Sequence, residues 1–200
     1  TFISALSPPG GDFSEPVTQA ALRVAGALWA LDASLAHQRQ FPAVDWETSY
    51  SLQAADVMPW FEQHGGVEWT GLRRETFALL QRDRELREVA GLVGPDALED
   101  QDRLILETAR LLREFLIGQS AYDPADASSP VTKTWRLADT ILRFHREGTT
   151  ALAAGGTMAT VDVGGARRTL AALRASPEGT PPCAALHARM PAPTPRPVRS

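Results

Sequence analysis

The 200-residue sequence contains one cysteine, Cys183, and one lysine, Lys133. A lone cysteine excludes an intramolecular disulfide and a cysteine-based zinc cluster. The lone lysine lies in a helical stretch without a preceding glycine, which excludes a phosphate-cradling G-x-x-x-x-G-K-[ST] loop. Positive charge is not in excess: 20 Lys+Arg against 24 Asp+Glu give a net −4, so neither nucleic acid nor an anionic membrane is attracted globally. No apolar run approaches the roughly 20 residues that cross a bilayer, because Arg23 and Asp32 interrupt the most apolar stretch. His37, His64, His145 and His187 are scattered with no i, i+4 pair, and no metal site is expected. Neither G-x-S-x-G nor G-x-G-x-x-G occurs. Taken alone, these residues neither activate a nucleophile nor hold a triphosphate.

What is present suits one globular unit with a sizeable core, at 44% hydrophobic and 22% charged residues. Nothing at the start reads as a secretory signal. The chain opens without Met on Thr1–Leu6, an uncapped extended run that reads as the interior of a strand and suggests a piece of a longer protein. Ser7-Pro8-Pro9-Gly10-Gly11 reads as a shaped loop, with prolines fixing φ and glycines permitting positive φ. A helix is predicted from Ser14–Pro16, through Val24, Leu28, Leu31 and Leu35, to about Gln40, where Phe41-Pro42 ends it.

Four further helices follow from apolar spacing. A short one covers 53–63, bent or broken at Pro59, before Gly65-Gly66. The next covers 72–93, with Leu72, Leu79, Leu86, Val89 and Val93 on one side. A third covers 101–117, with Leu104, Thr108, Leu111, Leu112 and Phe115 inward. A fourth starts at Ser129-Pro130, turns Trp135, Ala138, Ile141, Leu142 and His145 inward, and stops at Gly148. A weak helix spans 166–175. Seven of the 15 prolines lie from Pro177 onward, where large apolar residues are almost absent and disorder is expected. The expected fold class is mainly α.

The segment Phe41-Pro42-Ala43-Val44-Asp45-Trp46-Glu47-Thr48-Ser49-Tyr50-Ser51 stands out. A proline turn can hold an aromatic ring in one orientation at low entropic cost, which suits stacking on a flat heterocycle. Spacing alone favours Phe41 as a core residue at a helix end.

This string resembles the signature P-[SAP]-[LIV]-[DNH]-x-x-x-S-x-S of rotary ATPase nucleotide-binding subunits, with Pro42, Ala43, Val44, Asp45, Ser49 and Ser51 matching every specified position. The stretches Ser7–Gln19 and Leu31–Ala36 resemble the catalytic A subunit of the vacuolar/archaeal (V/A) type. The resemblance is dense over 1–51 and looser to about Gly148. It implies that residues 1–52 end a P-loop α/β nucleotide-binding domain, that 53–175 form a C-terminal helical bundle, and that 176–200 are a disordered Pro/Ala/Arg-rich tail.

The resemblance further implies that Phe41 packs against adenine, with Tyr122 of Gly118-Gln119-Ser120-Ala121-Tyr122 as a second wall. Asp12, Ser14 and Glu15 resemble a catch loop facing the central stalk. Asp96, Glu99, Asp100 and Asp102 resemble a lever segment, although acid at a helix start is favoured by the macrodipole without any partner. Leu52 stands where non-catalytic subunits of the superfamily place an arginine finger, which points to the catalytic type. ATP/ADP and Mg²⁺ would be held by the whole, intact protein and not by this stretch alone. The implied partners are the B subunit in an alternating A3B3 hexamer, the central-stalk subunits and, indirectly, the membrane rotor. The implied location is cytoplasmic, peripheral on the cytoplasmic face of the membrane. The competing readings are a non-catalytic helical interaction module or truncated paralogue, and a related hexameric termination or export motor.

Overall fold

Helix-spaced leucines dominate the chain after residue 70, and the structure is built around them. The computed structural model describes residues 2–65, 68–94 and 97–176. In order they form α1 (Pro16–Val24), β1 (Ala27–Leu28), α2 (Ala33–His37), β2 (Tyr50–Ser51), α3 (Ala54–Gly65), α4 (Trp69–Val93), α5 (Asp100–Leu111), a π-helical turn (Leu112–Ile117), α6 (Pro124–Ala127), α7 (Val131–Ala153), a 3₁₀ turn (Met158–Thr160) and α8 (Val163–Ala175). The fold is mainly α. Cys183, His187, Asp96 and the Pro-rich tail from Pro177 lie outside the described residues.

The core sits where α5 packs between α4 and α7, with α8 closing over α7. Leu104, Thr108, Leu111, Leu112 and Phe115 are all buried, as their spacing predicts. Facing them are Leu79 and Leu80 of α4, Ala138, Ile141 and Leu142 of α7, and Leu170 and Leu173 of α8. Each buried leucine or isoleucine contributes on the order of 1.5–3 kcal/mol. The weak helix at 166–175 is thus a full element, begun by the Asp162 carboxylate accepting from Gly165 N–H at 2.7 Å.

Four expectations are corrected. Phe2–Leu6 is extended but pairs with no strand among the described residues, and Phe2 and Ile3 are exposed. The single helix expected to Gln40 is two helices and a strand, because 27–31 pair across the chain with 44–51 and long-range pairing overrides the helical period. Pro59 lies within α3, so of the expected bend or break it is the break that does not occur. Helix α7 passes through Gly148 to Ala153: this glycine faces Leu104 so closely that a Cβ would meet its methyl carbons at 2.9 and 3.0 Å. The first loop behaves as read, with Gly10 (φ 63°) and Gly11 (φ 73°) in the left-handed region that favours glycine.

Candidate functional site

The matched signature builds a frame. Ala27 pairs with Ser51 and Leu28 with Tyr50, and Leu31 bridges Val44. Asp32 N–H donates to Ala43 O at 3.0 Å, and Asp45 N–H to Ala30 O at 2.8 Å. Ser49 locks the frame: its Oγ accepts from Ala30 N–H at 3.0 Å and donates to Asp45 O at 2.5 Å. The Asp45 carboxylate accepts from Glu47 N–H at 3.0 Å and from the Thr48 hydroxyl. Residues 32–43 therefore form an excursion held at its base. It contains α2, capped by Asp32, whose carboxyl sits below the usual range because it accepts from Ser34. At its tip is the Phe41-Pro42 turn, with a cis peptide bond. Phe41 is 56% exposed, so it is not a core residue.

A second segment meets this tip. The π-helical turn ends where Gly118 N–H donates to Arg113 O at 2.8 Å, and the next N–H, of Gln119, donates to Phe41 O at 2.7 Å. Tyr122 follows, 99% exposed. Phe41 and Tyr122 line one open groove of about 1020 Å³ between the tip and the helical body. Arg39, Arg110, Arg113 and Arg174 line it too, with Glu114 as the acidic residue. Arg113 is engaged by buried Asp83, which Arg87 also meets at 2.8 Å, and Arg174 by buried Asp126.

The segment after Gly118 is held from beneath. Asp126 accepts from Ser120 N–H at 2.5 Å, its main-chain carbonyl accepts from the Gln119 amide at 2.6 Å, and Ala125 O accepts from Lys133 Nζ at 2.5 Å. Lys133 is 1% exposed. None of Asp126, Lys133 and Arg174 carried a signal in the sequence, since each is an ordinary charged residue whose partners are distant in sequence or on main-chain atoms.

The acidic residues do local work. The Asp12 carboxyl lies below its ordinary range through its bonds with Ser14, whose N–H it meets at 2.8 Å. Glu15 is likewise lowered, chiefly by the Thr18 N–H, and so begins α1. Asp100 accepts from Met158 N–H at 2.8 Å, and Asp102 lies 3.5 Å from Arg82. Glu99 precedes α5 and makes no side-chain cap.

The one lysine donates to Ala125 O, and no group of three or more His, Cys, Asp or Glu side chains that could hold a metal occurs among the described residues. Nor is any helix among them long and apolar enough to cross a membrane.

Comparison with known proteins agrees with the signature. Residues 1–51 match the nucleotide-binding domain of the ATP synthase alpha/beta family, and residues 58–161 match the C-terminal domain of V and A type ATP synthase. The V-type ATP synthase alpha chain of Anaeromyxobacter dehalogenans is 53% identical over 155 residues, covering 78% of this chain and 27% of that protein. The A-type ATP synthase A subunit of Methanococcus maripaludis is 48% identical over 153 residues, covering 76% of this chain and 26% of that protein. The chain thus spans about a quarter of the length of these curated relatives. A solved structure, a unique ATP synthase subunit NeqB from Nanoarcheaum equitans, superposes with a TM-score of 0.58 at 23% identity, covering 70% of this chain and 32% of that one, which speaks for the fold. The chain belongs to the family of V- and A-type ATP synthase A subunits and matches the C-terminal portion of its members.

Proposed function

We propose that this chain supplies the adenine slot and the swinging helical bundle of a rotary ATPase catalytic subunit, with Phe41 and Tyr122 as the two walls of the slot. The observation that carries the reading is their shared groove: two exposed rings, on segments joined by the Gln119–Phe41 hydrogen bond, open to solvent on one side. Exposed aromatics on ordered turns suit stacking on a purine face. Leu52, 75% exposed where an arginine finger would stand in the non-catalytic type, favours the catalytic assignment.

In this reading the phosphates and Mg²⁺ are held by other parts of the full-length protein, where Mg²⁺ would stabilise charge on the transferring phosphoryl group. Three copies alternate with three B subunits in a hexamer on the cytoplasmic face of the membrane. The loop with Asp12, Ser14 and Glu15, and the segment with Asp96, Glu99, Asp100 and Asp102, face the central stalk. The present residues bind and orient the base, and exclude water from one of its faces.

The test is Phe41→Ala in the full-length protein. Adenine-nucleotide affinity should fall by ~1–3 kcal/mol if the ring stacks on the base. An unchanged affinity would return Phe41 to a loop residue without a ligand. The chain alone should turn over no ATP, and turnover comparable to an assembled complex would refute that.

A further inference from the structure

Tyr122 is almost wholly exposed, so no side-chain packing fixes its ring. Its position is set by the backbone of 118–123, and that backbone has few ties. Gly118 N–H reaches Arg113 O and Gln119 N–H reaches Phe41 O. The Gln119 amide and Ser120 N–H both end on one residue, Asp126, which is 3% exposed.

Asp126 is itself braced from two other elements. Arg174 of α8 pairs with its carboxylate and also donates to Glu114 O at 2.9 Å, while Lys133 of α7 donates to the adjoining Ala125 O. A buried carboxylate is tolerated only when hydrogen-bonded and paired, and here one carboxylate receives both an N–H and a guanidinium. Charge-assisted bonds of this kind are roughly twice as strong as neutral ones, so Asp126 is the firmest tie the segment has to the bundle.

We infer that Asp126, braced by Arg174, is a positioning residue for nucleotide binding: it holds the Tyr122 wall at its distance from Phe41 and links that distance to the end of the helical bundle. The inference rests on reading the Phe41–Tyr122 groove as the adenine slot. Removing the carboxylate frees Ser120 N–H and takes away the acidic partner of Arg174, so 119–122 can pivot away from the tip. The wall then has to be ordered again each time a base binds, and that cost appears as lost affinity.

The experiment measures trinitrophenyl-ADP affinity and amide exchange in the full-length protein. Asp126→Ala should raise Kd about tenfold and speed exchange at Gln119 and Ser120 by a similar factor. Asp126→Asn keeps an acceptor for Ser120 N–H but loses the charge pair with Arg174, so both readouts should fall between those of the parent and of Asp126→Ala. If Asp126→Ala does not fold, Arg174→Lys, which keeps the charge but loses the fork, should move both readouts in the same direction. In a Tyr122→Ala background Asp126→Ala should add little, since a residue acting only through that ring is non-additive with it.

Nucleotide affinity that falls in Phe41→Ala and Tyr122→Ala but not in Asp126→Ala would overturn the positioning role and leave the slot standing. Fully additive losses, or unchanged exchange at Gln119 and Ser120, would do the same. If neither ring substitution moves affinity, the slot reading itself fails and this role falls with it.

Discussion

His145 projects from α7 toward Thr108 of α5, with its Nδ1 3.2 Å from the Thr108 hydroxyl. That hydroxyl already donates to Leu104 O at 2.8 Å, so it can only accept from the ring, and Nδ1 carries the hydrogen. Burial holds the imidazole pKa below its ordinary value, with Glu75 of α4 opposing that shift and Arg146 adding to it. A depressed folded-state pKa means that the unfolded chain takes up the proton first as pH falls. The stability contribution is present above the ordinary histidine range and is lost as pH drops through the folded value. Urea midpoints measured between about pH 7.5 and pH 5.5 should therefore fall more steeply in the parent than in His145→Gln. Equal slopes would remove His145 from the account. Thr108 and His145 were both legible as inward-facing from their spacing. That they meet was not, because spacing within one helix says nothing about which helix lies opposite.

Helix α7 shows how an element can obey a residue's packing over its propensity. Gly148 looks like a stop, yet it is where α7 crosses Leu104, which is 1% exposed within the core. An alanine there gains about 1 kcal/mol in helix propensity. It loses about 1–3 kcal/mol to overpacking, because its Cβ would press on two leucine methyls. The second effect wins, so Gly148→Ala should lower stability by about 1 kcal/mol, read from denaturant midpoints. A stabilised variant would show that Leu104 can move. Helices α4, α5 and α7 were readable because their leucines recur through several turns. The single helix expected up to Gln40 was misread, since Val24, Leu28, Leu31 and Leu35 mimic that recurrence. Their partners, Ala43 to Ser51, are reached only through the frame that Asp45 and Ser49 tie together.

Across the molecule, burial is unevenly shared. Among residues 2–52 only Thr18 and Ala30 are buried, while Trp29, Leu31, Val24 and Leu52 are exposed. The extended apolar cluster comes almost entirely from residues 72–173. Limited trypsin digestion should thus cut after Arg23 and Arg39 well before it cuts within α5 or α7, as open, sparsely packed segments reach protease-sensitive states most readily. First cuts inside α7 would contradict that ordering. The groove was legible as two aromatics in a family signature and a matching segment. Its arginines and its buried braces were not, since their roles exist only once α5, α7 and α8 are packed.

The burial of Lys133 has a practical outcome. Among the described residues no other side chain carries a primary amine, and this one is capped by a carbonyl beneath the segment that leads to Tyr122. Acylating reagents and lysine-directed crosslinkers will therefore find no ammonium side chain on the folded body. Modification at this position can proceed only as fast as that corner of the bundle opens, which makes a single covalent tag a clock for local breathing.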